Sequence, residues 1–224
     1  MAKIHGIPGE WARVKGTVAG LWPLFLGVFV AGASATLIAS FPLAGATALV
    51  CSLLWIIWSL MVGLRRVESF YKGARGEEKV SEILRQLPDA YHVFNDFTVG
   101  RHHVDHVVAG PGGVFAIETK FWNGKVTVED GHVLVDGQLP DRSPLNQAIR
   151  EAALVRSALV AAGWNGLVTP VVAFASDSFA AHRANLKGTI IINSNELKTS
   201  FDTDRVAIQP PELDRLVSLM EGIG

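Results

Sequence analysis

Two long apolar segments near the N-terminus constrain the fold of this chain more than any other feature. Residues 17–38 and 44–64 contain no charged side chain. Each is about 20 residues long, enough for an α-helix to cross a hydrocarbon core of about 30 Å. Only residues 39–43 separate them, which leaves room for a tight turn. The pattern predicts a two-helix transmembrane hairpin over residues 17–64, with both of its ends on one side of the membrane.

The charges that flank the hairpin predict its orientation. Basic residues precede and follow it, and positively charged flanks mark the cytoplasmic side of a membrane protein. These residues are Lys3, Arg13, Lys15, Arg65, Arg66, Lys72 and Arg75. We therefore expect a protein of the cell membrane with two spans. Residues 1–16 form a cytoplasmic N-terminal segment, residues 65–72 a juxtamembrane linker and residues 73–224 a cytoplasmic domain.

Two further interpretations of the apolar segments stay open. The first segment could be a cleaved signal peptide, since Ala33-Ser34-Ala35 resembles a cleavage site, although its apolar run exceeds the usual length of about 7 to 15 residues. The second span would still return the chain to the cytoplasm. Small residues at positions 27, 32 and 45 permit close helix contact, so oligomerisation through the hairpin in the bilayer is a further hypothesis.

The part after residue 64 is slightly acidic. It contains 17 Lys and Arg against 20 Asp and Glu, a net charge of −3. Nucleic-acid-binding domains usually concentrate positive charge, so this balance speaks against a partner of that kind. About 160 residues suffice for one domain with its own core.

The order of predicted elements indicates an α/β fold with a mixed sheet flanked by helices. An amphipathic helix over residues 76–87 precedes a strand at 91–98 and a hairpin at 104–117. A small hairpin at 125–135, a helix from Ser143-Pro144 to about residue 162 and an apolar strand at 167–175 follow, which suggests a crossover back into the sheet. A strand at 189–192 and helices at 196–199 and 211–222 complete the domain.

The hairpin at 104–117 carries the residues with the clearest chemistry. If it is symmetric about Pro111 and Gly112, Asp105 lies opposite Glu118, and Lys120 shares their face because strand side chains alternate. Two carboxylates this close repel each other unless one is protonated or a cation lies between them. Hard oxygen ligands of this kind suit Mg²⁺.

A plainer interpretation is that these acids are solvated at a strand end and that the lysine offsets their charge. Apolar residues on both faces of the hairpin, at 107–109 and 114–117, weigh against it because they indicate a sheet that is covered on both sides.

Two helical residues and a group of histidines complete the candidate set. Glu77 lies on the apolar stripe of its helix, although it could simply complement the helix N-terminus. Gln147 lies at the border of the stripe in the first turn of the later helix, a position at which most glutamines are exposed. His103 shares the face of Asp105, whereas His106 points away, so a zinc site built from the histidines is disfavoured.

Several spaced motifs resemble the nuclease-related domain (NERD) family of the restriction-endonuclease-like superfamily. They are GARGEEKV at residues 73–80, DH at 105–106, GPGGVF at 110–115, IETK at 117–120 and WNG at 122–124. The resemblance implies a mixed sheet flanked by helices and a divalent-metal phosphodiesterase site. The implied catalytic residues are Glu77, Asp105, Glu118, Lys120 and Gln147. The implied ligands of Mg²⁺ (or Mn²⁺) are Asp105, Glu118 and the backbone carbonyl of Thr119.

Two functional hypotheses follow. The first is a membrane-anchored, Mg²⁺-dependent nuclease that hydrolyses DNA at the cytoplasmic face, in which Lys120 positions or deprotonates the attacking water and Gln147 orients it. The second is an inactive nucleic-acid-binding or scaffold protein with the same fold. The acid and lysine set favours the first hypothesis, and the net charge of −3 favours the second.

Overall fold

The computed structural model describes residues 1–201 and 207–223. It divides the chain into two compact units, one made of residues 10–74 and the other of residues 1–9 together with residues 75–224. The N-terminal residues therefore belong to the same unit as the C-terminal domain. Residues 65–72, which the sequence predicts to be a linker, are helical.

The first unit is a pair of long helices. Helix α1 spans Glu10–Leu37, and helix α2 spans Pro42–Arg85, so α2 continues into the second unit. Both helices are long and apolar enough to cross a membrane by length and composition, and only 17% of the most apolar window of each is buried. Glycine allows the two helices to approach closely at Gly27, where a Cβ would lie 2.8 Å from side-chain atoms of Trp55 and Ile56.

The second unit is built on a mixed seven-stranded sheet in the order β1-β2-β3-β4-β7-β9-β8. The β2-β3-β4 meander and the β8-β9 pair are antiparallel, whereas β1-β2, β4-β7 and β7-β9 are parallel. Strands β5 and β6 form a separate hairpin. The bounds are β1 Lys3–His5, β2 His92–Val99, β3 His102–Gly110, β4 Gly113–Lys120, β5 Val126–Glu129, β6 His132–Val135, β7 Val168–Phe174, β8 Arg183–Leu186 and β9 Thr189–Asn193.

Helices cover both faces of this sheet, as the apolar residues of the hairpin predict. Val107, Ala109, Val114 and Ala116 pack against α3 (Pro144–Ala161) and α4 (Pro210–Ile223). On the other face, Val108, Phe115 and Ile117 pack against the C-terminal part of α2 and a 3-10 helix, Ser194–Thr199. The mixed α/β architecture is confirmed.

Glycines allow the tight turn between β3 and β4. Gly113 has a φ of +128°, a conformation that side chains disfavour. A Cβ on Gly112 would lie 1.8 Å from the carbonyl oxygen of Phe201, so only glycine fits there. The turn fixes the register, with Gly110 paired to Gly113 and His106 to Ile117.

Strands β1 and β8 are not predicted from the sequence. Strand β1 runs parallel to β2, with Ile4 paired to Val93, and the ring of His5 stacks on Phe94 at 4.3 Å between centroids. Three residues are too few to show the alternation that identifies a strand. The helix predicted at 196–199 is a 3-10 helix.

Candidate metal centre

Three neighbouring strands bring acidic residues to one place. The β3-β4 pairing ends at His106 and Ile117, and Asp105 and Glu118 are the next residues along the two strands. In the β2-β3 pair, Asn95 opposes His106 and Phe97 opposes Val104. Asp96 and Asp105 therefore face each other between those pairs. Asp96 adopts a φ of +52°, a left-handed conformation that Asp tolerates better than most residues.

Asp105 accepts hydrogen bonds from two directions. The backbone N–H of Thr119 donates to its Oδ2 at 2.8 Å, and Nε2 of His103 lies 3.3 Å from its Oδ1. The same His103 nitrogen lies 3.2 Å from Oδ1 of Asp96. Burial opposes ionisation of Asp105. The hydrogen bond from His103, the charge of His106 and the hydrogen bond from the Thr119 N–H outweigh burial and lower the pKa of Asp105. Asp105 is thus a carboxylate at neutral pH.

Glu77 completes a group that can hold a cation. One ligand atom each from Glu77, His103 and Asp105 lies within 4.8 Å of the other two. Glu77 is 7% exposed. Burial, followed by the charges of Asp105 and Asp96, raises its pKa from 4.5 to about 9. The prediction that this helical glutamate points inward is confirmed.

A chain of polar contacts extends from β4 to α3. The Lys120 ammonium donates to Glu118 and also to Oε1 of Gln147 at 3.1 Å. Nε2 of Gln147 donates to Oε1 of Glu151 at 3.0 Å. Burial disfavours the charged ammonium, yet the neighbouring Glu118 outweighs it and raises the pKa of Lys120. Gln147 therefore lies at the site and links Lys120 to α3.

One lysine and one histidine do not offset the negative charge of all the buried carboxylates in this cluster. Burial and the charge of Asp105 raise the pKa of Glu118 and of Glu151. Oε2 of Glu77, of Glu118 and of Glu151 is buried and has no hydrogen-bond partner among the residues that the structure describes. Unpaired buried carboxylate oxygens are costly. A divalent cation satisfies such oxygens directly, so the donor set fits one.

Thr119 and His106 are the remaining residues that the sequence singled out. Thr119 contributes its N–H to Asp105, and its carbonyl as a metal ligand stays a prediction. His106 is fully buried, with Nδ1 2.8 Å from Oδ1 of Asn95, and burial lowers its pKa to about 4. It lies outside the Glu77-His103-Asp105 group.

Sequence reasoning missed Asp96 and Glu151 and left His103 without a role as a ligand. Symmetry about the turn at Gly100 and Arg101 places residue 96 opposite residue 105, so the hairpin rule used for β3-β4 would have found Asp96. Glu151 follows Gln147 by four residues, the spacing of neighbours on one helix face. That spacing was the available signal.

The fold and the site define an α/β domain with a buried cluster of acids, a histidine and a lysine that suits a divalent cation. The sequence model of the nuclease-related domain matches residues 72–175. The chain thus carries a nuclease-related domain (NERD), and the matched segment includes every residue of the cluster. No curated protein and no solved structure matches the chain significantly.

Proposed function

We propose that this protein is a membrane-anchored, divalent-metal-dependent nuclease that hydrolyses phosphodiester bonds of DNA at the cytoplasmic face. The observation that carries the proposal is the group of buried carboxylates, Glu77, Asp105 and Glu118, beside Lys120 within a nuclease-related domain. Burying so many acids costs free energy. A site that binds a cation and a phosphate recovers that cost on binding.

Asp105 and Glu118 would hold the metal, with the carbonyl of Thr119 as a further ligand and with Glu77 and His103 on the adjoining side. A divalent cation supplies Lewis-acid polarisation of the phosphate and lowers the pKa of a bound water. Oxygen ligands suit Mg²⁺, whereas an imidazole nitrogen favours Mn²⁺ more than it favours Mg²⁺.

Lys120 and Gln147 would act on the reacting groups. The raised pKa of Lys120 keeps the ammonium protonated, so we assign it to charge stabilisation and to positioning of the attacking water rather than to proton abstraction. Gln147 holds the ammonium through its Oε1. The water oxygen bonds to phosphorus and one P–O ester bond breaks. The proton that the water loses ends on the leaving oxygen, so the products are a phosphomonoester and a hydroxyl.

The membrane anchor would be the α1-α2 pair. Strand β1 precedes α1 and pairs with β2 of the domain, so the chain must return to the side on which it started. Two spans satisfy this condition, and the basic residues that flank them favour the cytoplasm for both ends.

The orientation can be tested with single cysteines in a Cys51→Ser background. Ser40 lies in the turn after α1, and Ser218 lies exposed on α4. A membrane-impermeant maleimide should label Ser40→Cys in intact cells and Ser218→Cys only after permeabilisation. Labelling of Ser218→Cys in intact cells would contradict the cytoplasmic assignment.

The activity is tested with the full chain in detergent or nanodiscs, because removal of the N-terminus would also remove β1. Single- and double-stranded DNA and RNA are incubated with Mg²⁺, Mn²⁺ or EDTA. The matched pairs are Asp105→Asn with Asp141→Asn and Lys120→Met with Lys125→Met, since Asp141 and Lys125 are exposed. We expect metal-dependent cutting that only the Asp105 and Lys120 variants lose.

Two outcomes would contradict the nuclease proposal. Cutting that persists in EDTA or in the Asp105→Asn variant would show that the activity comes from elsewhere. Binding of nucleic acid by the wild-type chain without cutting in either metal would instead support the inactive binding protein, the alternative that the net charge of −3 favours.

A further inference from the structure

A pocket of about 390 Å³ lies beside the candidate metal centre at the start of α3. It is lined by Arg142, Ser143, Asn146, Gln147 and Arg150. Two of these five residues are cationic and none is acidic. In an acidic domain, this is a local concentration of positive charge.

The two arginines are available to an anion. Neither guanidinium takes part in an ion pair with the residues described, and the first turn of α3 has no acidic residue. The positive end of the helix dipole adds to their field. The Asn146 N–H already donates to Oγ of Ser143 at 3.3 Å, so the arginine side chains have to supply most of the binding. Planar guanidinium groups match phosphate oxygens in pairs.

Gln147 connects the pocket to the candidate metal centre. It lines the pocket, and its Oε1 accepts from Lys120 at 3.1 Å. Along one strand of DNA, phosphates follow one another at about 3.4 Å of axial rise. A strand whose scissile phosphate lies at Lys120 can therefore place a neighbouring phosphate at Gln147.

We propose that Arg142 and Arg150 bind a backbone phosphate adjacent to the scissile one. This inference rests on the proposed function and deepens it, since it identifies how an acidic domain holds a polyanion. The subsite binds phosphodiester groups without reading the bases. A membrane lipid headgroup carries the same chemistry, but the direct contact of the pocket with Gln147 favours the nucleic-acid strand.

Binding is measured with the full chain in phosphatidylcholine nanodiscs, in an Asp105→Asn background that prevents cutting. Fluorescent single- and double-stranded oligonucleotides are titrated from low salt to about 200 mM salt, the range over which phosphate binding weakens most visibly. Arg142→Gln/Arg150→Gln is compared with Arg156→Gln/Arg183→Gln, which removes the same charge from exposed positions outside the pocket.

We expect the pocket variant to raise Kd about tenfold or more at low salt. It should also reduce the slope of log Kd against log salt by about 1 for each phosphate that the variant no longer neutralises. The control variant should stay within about twofold of the background. In the otherwise wild-type chain, the pocket variant should raise KM for DNA but leave hydrolysis of bis(4-nitrophenyl) phosphate unchanged, because that substrate has no second phosphate.

The outcomes separate this inference from the nuclease proposal. If the pocket variant weakens DNA binding but the wild-type chain cuts nothing, the subsite stands and the nuclease proposal fails. If the chain cuts DNA and the pocket variant binds DNA like the control, the subsite is overturned. If the pocket variant loses binding to phosphatidylglycerol vesicles but not to DNA, the pocket is a lipid site and the inference is again overturned.

Discussion

Nζ of Lys120 on β4 donates to Oε1 of Gln147 on α3 over 3.1 Å, although the two residues are 27 positions apart. Gln147 is held in turn because its Nε2 donates to Glu151. The amide thus fixes the direction of the ammonium, which also donates to Glu118. This hydrogen bond connects α3 to the candidate site at the end of β4.

Removal of the Gln147 amide should slow the reaction more than it weakens substrate binding. For Gln147→Ala we expect kcat to fall on the order of 10- to 100-fold, because small displacements of a catalytic group carry costs of that size. KM for a short diester and the unfolding temperature should change little. Gln138→Ala, at an exposed position shortly after β6, is the control. An unchanged kcat in Gln147→Ala would mean that Lys120 is positioned without it.

The buried Glu77 predicts a fall in stability at alkaline pH when no metal is present. Its pKa is about 9 in the folded protein and 4.5 unfolded, so the folded state retains a proton that the unfolded state has released. The stabilisation is complete below pH 4.5 and is lost as the pH rises through 9. Between about pH 7 and 9, the free energy of unfolding should decline by on the order of 1 kcal/mol per pH unit.

The variant Glu77→Gln should make this decline shallower, with the remainder due to Glu118 and Glu151, whose pKa values are also raised. Glu82→Gln, at an exposed position on the same helix, should not change it. The window avoids His106, whose pKa is lowered to about 4 and whose effect appears only below neutral pH. Thermal unfolding of the metal-free chain at constant detergent measures the slope. Mn²⁺ should restore the unfolding temperature at about pH 8.5. An equal slope in wild type and Glu77→Gln would contradict the assignment.

His103 predicts a difference between metals. An imidazole nitrogen contributes more to Mn²⁺ than to Mg²⁺, so His103→Ala should weaken Mn²⁺ binding by about tenfold or more and Mg²⁺ binding by much less. Isothermal titration calorimetry at about pH 8 measures both constants, with the exposed neighbour His102 changed to Ala as the control. Equal losses for the two metals would indicate that His103 only orients Asp105.

Strand β1 predicts that the N-terminus stabilises the domain. Ile4 packs against the core face that contains Val93 and Val108, whereas Ile7 is 59% exposed. Ile4→Ser should cost about 1 to 2 kcal/mol and lower the unfolding temperature by about 3 to 6 °C. Ile7→Ser should leave it unchanged. Equal effects would show that β1 contributes no packing.

The sequence predicted the centre of the sheet well because its signals there are strong. The Gly110–Gly113 turn fixes the register of β3 and β4, and the apolar residues on both faces of the hairpin indicate a covered sheet. Ser143 caps α3 as expected by accepting from Asn146. Where a turn fixes the register of two strands, counting residues from the turn predicts which side chains lie opposite each other.

The periphery of the site was harder to predict. Strand β1 is separated from its partner by the whole α1-α2 pair, so no local pattern links them. Asp96 lies in a left-handed conformation that interrupts the β2 ladder. Glu151 is buried and accepts a hydrogen bond from Gln147. Residue spacing could have indicated Asp96 and Glu151, whereas the pairing of β1 depends on tertiary contacts that one sequence does not reveal.

The most direct test measures Mn²⁺ binding and the single-turnover rate of DNA cleavage on the same preparation of the full chain, in wild type and in Asp105→Asn. The metal-dependent mechanism predicts that the wild-type rate saturates at the Mn²⁺ concentration that saturates binding, and that the substitution reduces the affinity and the rate together. A rate that does not depend on Mn²⁺, or one that Asp105→Asn leaves intact, would contradict it.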